Sequence, residues 1–156
     1  MNVSLKRATV EDAGRIQGML KESFAELLER YQDYDTSPAT MTAEAVRLRL
    51  MQEQTYYYFI VADGETVGGI RVVDFADGQT RKRIAPLFVL PAYRNRGVAQ
   101  RAMALAEDIH GGTHWMLDTI LQEKGNCYLY EKMGYHQTGH TEAINERMTL
   151  VFYEKD

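Results

Sequence analysis

Residues 87–109 read LFVLPAYRNRGVAQRAMALAEDI, and the middle of this stretch holds the side chains best suited to chemistry. Arg94, Asn95, Arg96, Gly97, Val98 and Ala99 form a basic, glycine-containing turn. The apolar run before it, residues 87–90, reads as a buried strand. Pro91 ends that strand, because proline has no amide to give to a sheet ladder. After the turn, Val98, Ala102, Leu105 and Ile109 recur at the spacing of one helix face. A strand, a tight basic turn and a helix N-terminus make an anion cradle. Unpaired amides point outward, and the helix dipole favours a nearby negative charge by roughly 0.3–1 kcal/mol. Gly97 and Ala99 are small enough for a phosphate to approach the backbone, and Arg94 and Arg96 can add charge-assisted contacts. The turn is neither GxxxxGK[ST] nor GxGxxG, so it is not one of the common nucleotide loops.

A second stretch, residues 126–135, reads NCYLYEKMGY. Asn126, Leu129, Tyr130 and Met133 fall at i, i+3, i+4 and i+7 and so share one helix face. By itself this is a short amphipathic helix with a buried tyrosine. Together the two stretches resemble a known family. Arg94-x-x-Gly97-x-Ala99 is similar to the (Q/R)xxGx(G/A) motif of the GNAT superfamily of N-acetyltransferases, which holds the pyrophosphate of acetyl-CoA. Residues 126–135 resemble that family's N…YxKxGF signature.

The resemblance implies acetyl-CoA as co-substrate, held by Arg94, Asn95, Arg96, Gly97, Val98 and Ala99. It puts Asn126 near the pantetheine arm and Tyr130 beside the thioester sulfur. It also assigns the main chain of Leu87 and Val89 to pairing with the arm, where strand four splays from strand five at a bulge. Pro86, lacking an amide, fits a ladder interrupted nearby.

Transfer from a thioester to an amine needs a neutral amine, a donor for the developing oxyanion and a hydrogen bond for the departing thiolate. An alkylamine of pKa about 10.4 is charged at pH 7, and deprotonating it costs roughly 4.6 kcal/mol. A base or a water relay is therefore expected. Relatives carry a Glu or His on strand four, but here the matching residues are Arg83, Ile84, Ala85 and Pro86. Asp118 is the first substitute, with Asp74 and His114 behind it, and a chain of waters is the option that needs no side chain. The Val89 amide is the oxyanion donor expected, and Tyr130 the leaving-group partner.

Bulk properties narrow the field. The chain has 156 residues, enough for one domain over 1–156 with a real core. It is 45% hydrophobic and 26% charged, as ordinary globular proteins are. A net charge of −4 speaks against a nucleic-acid backbone as partner. The single cysteine, Cys127, excludes an internal disulfide and suits a reducing compartment. It reads as packed, since direct transfer needs no acyl-enzyme. His110, His136 and His140 lack metal spacing, so no metal is expected. No apolar run reaches the roughly 18–20 residues of a membrane span, and the first residues lack the apolar region of a secretion signal. The expectation is a cytoplasmic protein with no membrane partner.

In chain order, a strand over residues 2–8 is followed by a helix capped at Thr9. Ala13, Ile16, Leu20, Phe24, Leu27 and Leu28 form its apolar stripe. Beside them Glu22, Glu26, Glu29 and Asp33 make an acidic line, either a solvated face or a rim that attracts a cationic amine. Residues 31–40 read as a loop and 42–54 as a second helix burying Ala43, Val46 and Leu50. Residues 56–62 and 65–73 form a hairpin through Asp63-Gly64, the pair a type I′ turn prefers. Gly68-Gly69 suggests a bulge or a close backbone contact. Strand four spans 81–90, helix three 96–109, strand five 114–120, a short helix 125–133, and two strands 135–141 and 146–154. Helix three is a crossover, so strands four and five should be parallel. Trp115 and the run 56–58 are expected to pack the sheet.

The order implies an α/β (α+β) fold like the GNAT fold. A mixed, mostly antiparallel sheet of about seven strands would carry helices on both faces, with strands four and five parallel and splayed. The function implied is direct transfer of acetyl from acetyl-CoA to a primary amine of a small molecule or peptide, with a cationic acceptor weakly favoured and a homodimer left open. The alternative is a non-catalytic acyl-CoA-binding or sensing module.

Overall fold

The computed structural model describes residues 1–156. Strands β1 (Val3–Arg7), β2 (Thr55–Ala62), β3 (Glu65–Val73), β4 (Lys82–Val89), β5 (Trp115–Ile120), β6 (His136–Ala143) and β7 (Thr149–Lys155) form one sheet in the order β1-β2-β3-β4-β5-β7-β6. All neighbours are antiparallel except β4 and β5. That parallel pair is brief. Only Lys82 with Trp115 and Arg83 with Met116 are in register, although both strands run on. No helix is long and apolar enough to cross a membrane.

The β-rich residues of β2 alternate faces, and so divide the core in two. Tyr57 and Phe59 pack with Ile16 and Leu20 of α1 (Ala13–Tyr31) and Val46 of α2 (Ala43–Leu50). Tyr58 and Ile60 face the other way, toward Val98, Ala102 and Met103 of α3 (Val98–His110) and toward Cys127 and Tyr130 of α4 (Lys124–Lys132). Trp115 is fully buried in this second core, and its indole N–H donates to Gly111 O at 2.8 Å. The mixed sheet with helices on both faces is as the sequence implied.

Local chemistry explains most boundaries. Asp63 and Gly64 both take left-handed φ, +50° and +84°, as a type I′ hairpin turn requires. Gly68 is required for another reason: a Cβ there would meet Phe88 O at 2.1 Å. The expected close contact is therefore between β3 and the carboxyl end of β4.

Three elements depart from expectation. The second helix stops at Leu50 rather than 54, because the chain must turn to bring Thr55 opposite Val73 in β2. Of its three expected core residues only Val46 is buried, and Ala43 is exposed. In α3, Ile109 is exposed and Leu105 only half-buried; the sheet meets Val98, Ala102, Met103 and Ala106 instead. Small residues on that stripe allow close approach to the strands. The last strand begins at Thr149, since 145–147 form a turn in which Asn145 Oδ1 accepts from the Arg147 amide.

The contact at Gly68 yields a comparison. Gly68→Ala drives a methyl into backbone and should cost about 2–3 kcal/mol, lowering Tm by roughly 5–10 °C. At Gly69 a Cβ meets only the Phe88 ring, at 2.5 Å, and a ring can turn. Thermal melts of both variants check this: Gly69→Ala should lose clearly less.

Candidate active site

Splaying leaves β4 with a free side. Leu90 N–H donates to Val67 O at 2.8 Å, which makes Gly68 and Val89 a non-hydrogen-bonded pair of the β3–β4 ladder. The Val89 amide therefore points away from β3, into the gap toward β5, and by alternation so do the amide and carbonyl of Leu87. Between them and the parallel start of β4 lies a bulge. Ile70 pairs Leu87 and Val72 pairs Ile84, so Ala85 and Pro86 stand opposite the single residue Arg71. Arg71 fastens this bulge by donating Nη1 to Ala85 O at 2.8 Å.

Beyond β4 the chain turns through Asn95 and Gly97, both in the left-handed region at φ +63° and +78°, and enters α3. Gly97 is the N-cap and supplies no side-chain acceptor, and the first helical bond to it comes from Arg101 N. The amides of Val98, Ala99 and Gln100 are thus free to face an anion. These amides, with Leu87, Val89, Asn126 and Tyr130, border a groove of about 430 Å³. Its donors suit a diphosphate at one end and an extended amide-bearing arm along β4, so the residues fit the phosphates and pantetheine of acetyl-CoA.

The groove brings together Leu87, Val89, Arg94, Asn95, Gly97, Val98, Ala99, Asn126 and Tyr130. Arg96 is exposed and does not line it. Arg94 lines it but is already engaged: Nε donates to Val89 O at 2.9 Å and Nη2 to Ser23 O at 2.6 Å. It ties β4 to α1 and leaves the Val89 amide as that residue's open group. Gln100, Arg30 and Glu123 also line the groove and were missed. Gln100 was legible as the third amide of the helix. The Arg30–Glu123 ion pair, 2.7 Å, joins α1 to the N-cap of α4 and leaves no local signal.

A second cleft, about 510 Å³, opens across the gap and shares Phe24, Leu27, Leu87, Asn126 and Tyr130 with the first. Tyr130 thus stands at the junction, its ring against Tyr135 and Tyr153 at centroid distances of 6.2 Å. Burial, with the charges of Asp118 and Cys127 adding to it, pushes its phenol up to about 12. Asp118 lines the second cleft and is held by Arg83 Nη2 at 2.8 Å. Burial lifts its carboxyl above the usual range, while Arg83 pulls it down.

The weaker base candidates are elsewhere. Asp74 binds the His110 ring at 2.9 Å, and His114 reaches Gln79 O at 2.8 Å. Neither lines either cavity. Cys127 is buried, its thiol turned to Ile120 O and Leu121 O. The acidic line also breaks up. The helix ends at Tyr31, so Asp33 leaves its face, is buried, and accepts from Thr36 N. Glu26 pairs with Arg30 at 2.8 Å, and Glu22 and Glu29 line neither cavity.

The sheet parts at its one parallel pair, and the glycine-capped helix α3 begins beside the gap. The sequence model of the acetyltransferase (GNAT) family matches residues 20–135, and the chain belongs to that family. A search of curated protein sequences finds no significant match. Solved structures share the fold. The PaiA N-acetyltransferase of Thermoplasma acidophilum, in complex with coenzyme A, is 15% identical over all of both chains, with a TM-score of 0.72. The spermidine N-acetyltransferase of Vibrio cholerae, with CoA and spermine, is 14% identical over 97% of this chain and 93% of that one, TM-score 0.75. The Salmonella typhimurium acetyl transferase that modifies the N-terminal serine of ribosomal protein L7/L12 is 11% identical over 98% and 94%, TM-score 0.75.

The two arginines of the turn should separate in experiment. Arg94→Ala orphans two carbonyls and should cost about 1–3 kcal/mol in a thermal melt, with weaker acetyl-CoA binding by calorimetry. Arg96→Ala should leave that affinity within about twofold, as surface changes do. Equal weakening by both would put Arg96 back in the cradle.

Proposed function

We propose that residues 1–156 act as one domain that transfers the acetyl group of acetyl-CoA directly to a primary amine of a small molecule or peptide. The observation that carries this is Tyr130, which borders both cavities where they meet. Bound acetyl-CoA supplies an acetyl thioester. The free amides of Val98, Ala99 and Gln100 face its diphosphate, and the main chain of Leu87 and Val89 pairs with its arm. Asn126 flanks the arm from α4. The Val89 amide, its carbonyl held by Arg94, faces the oxygen on which negative charge builds.

The acceptor enters as an ammonium, hence cationic, toward Asp118 and Glu142 on the β5–β6 wall. Asp118, raised by burial, takes its proton directly or through water. Tyr130 supports the departing sulfur. With its phenol near 12, full proton transfer to a thiolate of pKa about 8.5 would be uphill by about 5 kcal/mol, so its part is hydrogen-bond donation. The packed thiol of Cys127 supports transfer without an acyl-enzyme. A cytoplasmic setting belongs to the same reading, supported by that single cysteine staying buried. A homodimer is compatible with it, since β6 is the outer strand and all eight of its residues are exposed.

Calorimetry with acetyl-CoA, followed by thiol release across a panel of amines, tests the proposal. Micromolar binding with amine-dependent release is expected. Binding without release from any amine would favour a sensing module, and no binding would end the reading. Tyr130→Phe should lower kcat roughly tenfold or more while KM for acetyl-CoA changes little. Asp118→Asn should lower kcat by roughly a hundredfold. An unchanged kcat in Asp118→Asn would move the base to water.

A further inference from the structure

Among the charged residues that line the acceptor cleft, Arg49 is the guanidinium with no ion-pair partner. Arg49 of α2 and Arg83 of β4 both line it, and Arg71 of β3 lies behind the Ala85–Pro86 bulge that forms part of its wall. They are close enough to repel one another. After burial, the charges of Arg49 and Arg83 both act on Arg71, whose guanidinium falls to about 10. Burial and then Arg83 likewise lower Arg49, while Tyr57 is the group that pulls it the other way.

Few groups within the chain answer these charges. Asp118 balances Arg83. Arg71 finds only neutral acceptors, Ala85 O at 2.8 Å and Gln52 Oε1 at 3.2 Å, and its buried Nε has none. The Tyr57 hydroxyl, opposite Arg71 in the β2–β3 register, is buried without a partner as well. A buried guanidinium with an unmet donor, as in Arg71, is costly, and a nearby anion would offset part of its charge. The cleft is therefore polarised: Asp118 and Glu142 stand along β5 and β6, the Asp33 carboxylate is taken up by Thr36, and the guanidinium of Arg49 on α2 stays unpaired.

The geometry points to an acceptor that carries a carboxylate as well as its amine, an amino acid or short peptide whose carboxylate meets Arg49 in the second cleft. This rests on the transferase reading and deepens it. The ammonium would face Asp118 and Glu142, nearer Tyr130, and the carboxylate would face Arg49, with Arg71 adding positive potential from behind. At about 510 Å³ the cleft has room for such a molecule. A linear polyamine would instead set a second ammonium against Arg49. The guanidinium presents a planar fork of donors, suited to two-point contact with a carboxylate.

The test compares kcat/KM for the twenty free amino acids, their carboxamides, and spermidine, each at saturating acetyl-CoA. At least one amino acid should exceed its own carboxamide by roughly tenfold or more, and exceed spermidine. In Arg49→Gln that amino-acid-to-amide ratio should fall to near one, and Arg49→Lys should recover part of it. Acetyl-CoA calorimetry on each variant verifies that the fold is intact. Turnover of carboxamides or spermidine as good as that of every amino acid, or a ratio untouched by Arg49→Gln, overturns this inference and leaves the transferase standing. No thiol release with any of them overturns both.

Discussion

The parting of β4 from β5 is the constraint on which the rest of the structure depends. Two neighbouring strands that stop pairing leave amides and carbonyls in a half-buried gap, and such groups are costly unless something meets them. The chain prepares the gap along β4. Pro86 has no amide to leave unmet, the bulge at Ala85–Pro86 lets the ladder to β3 resume in register, and Arg94 takes up the Val89 carbonyl. What stays open is a short row of main-chain groups on Leu87 and Val89, at the place where the two cavities meet. A substrate arm with its own amides can complete the sheet there.

The same gap sets the electrostatics. Tyr130 is buried because α4 packs its aromatic face against Tyr135 and Tyr153. Burial keeps the phenol protonated, and so a donor, throughout the neutral range. Asp118 feels the same loss of solvent but with the opposite consequence, since a raised carboxyl is a better proton acceptor. Loss of solvent thus raises both the Tyr130 phenol and the Asp118 carboxyl, with Arg83 holding the carboxylate in place.

Local pattern made much of this legible. The apolar run at 87–90 and the Asp63-Gly64 turn each act within a few residues, the Gly68-Gly69 pair announces a close contact without naming its partner, and the structure uses each as the sequence suggested. The α3 entry was legible for the same reason, because a glycine cap and free amides are properties of a helix start. Side chains that reach across the fold were not. The sequence offers Arg94 as a phosphate ligand but gives no sign of its contacts on Val89 and on Ser23, 71 residues away. Asp33 continues an acidic helix face on paper, but the helix ends before it. Arg49, Arg71 and Arg83 come from three separate elements, so no spacing announces their proximity. Ile109 fits an ideal stripe, but the face of α3 that meets the sheet runs through Ala102, Met103 and Ala106.

The carboxyl half of α1 is a party wall. Phe24 and Leu27 belong to both cavities, and Arg30 and Tyr31 fasten that end of the helix to Glu123. The two cavities therefore share a boundary that neither can shift alone. A displacement of that wall that widens one cavity narrows the other, so the room in the two is a single quantity divided between them.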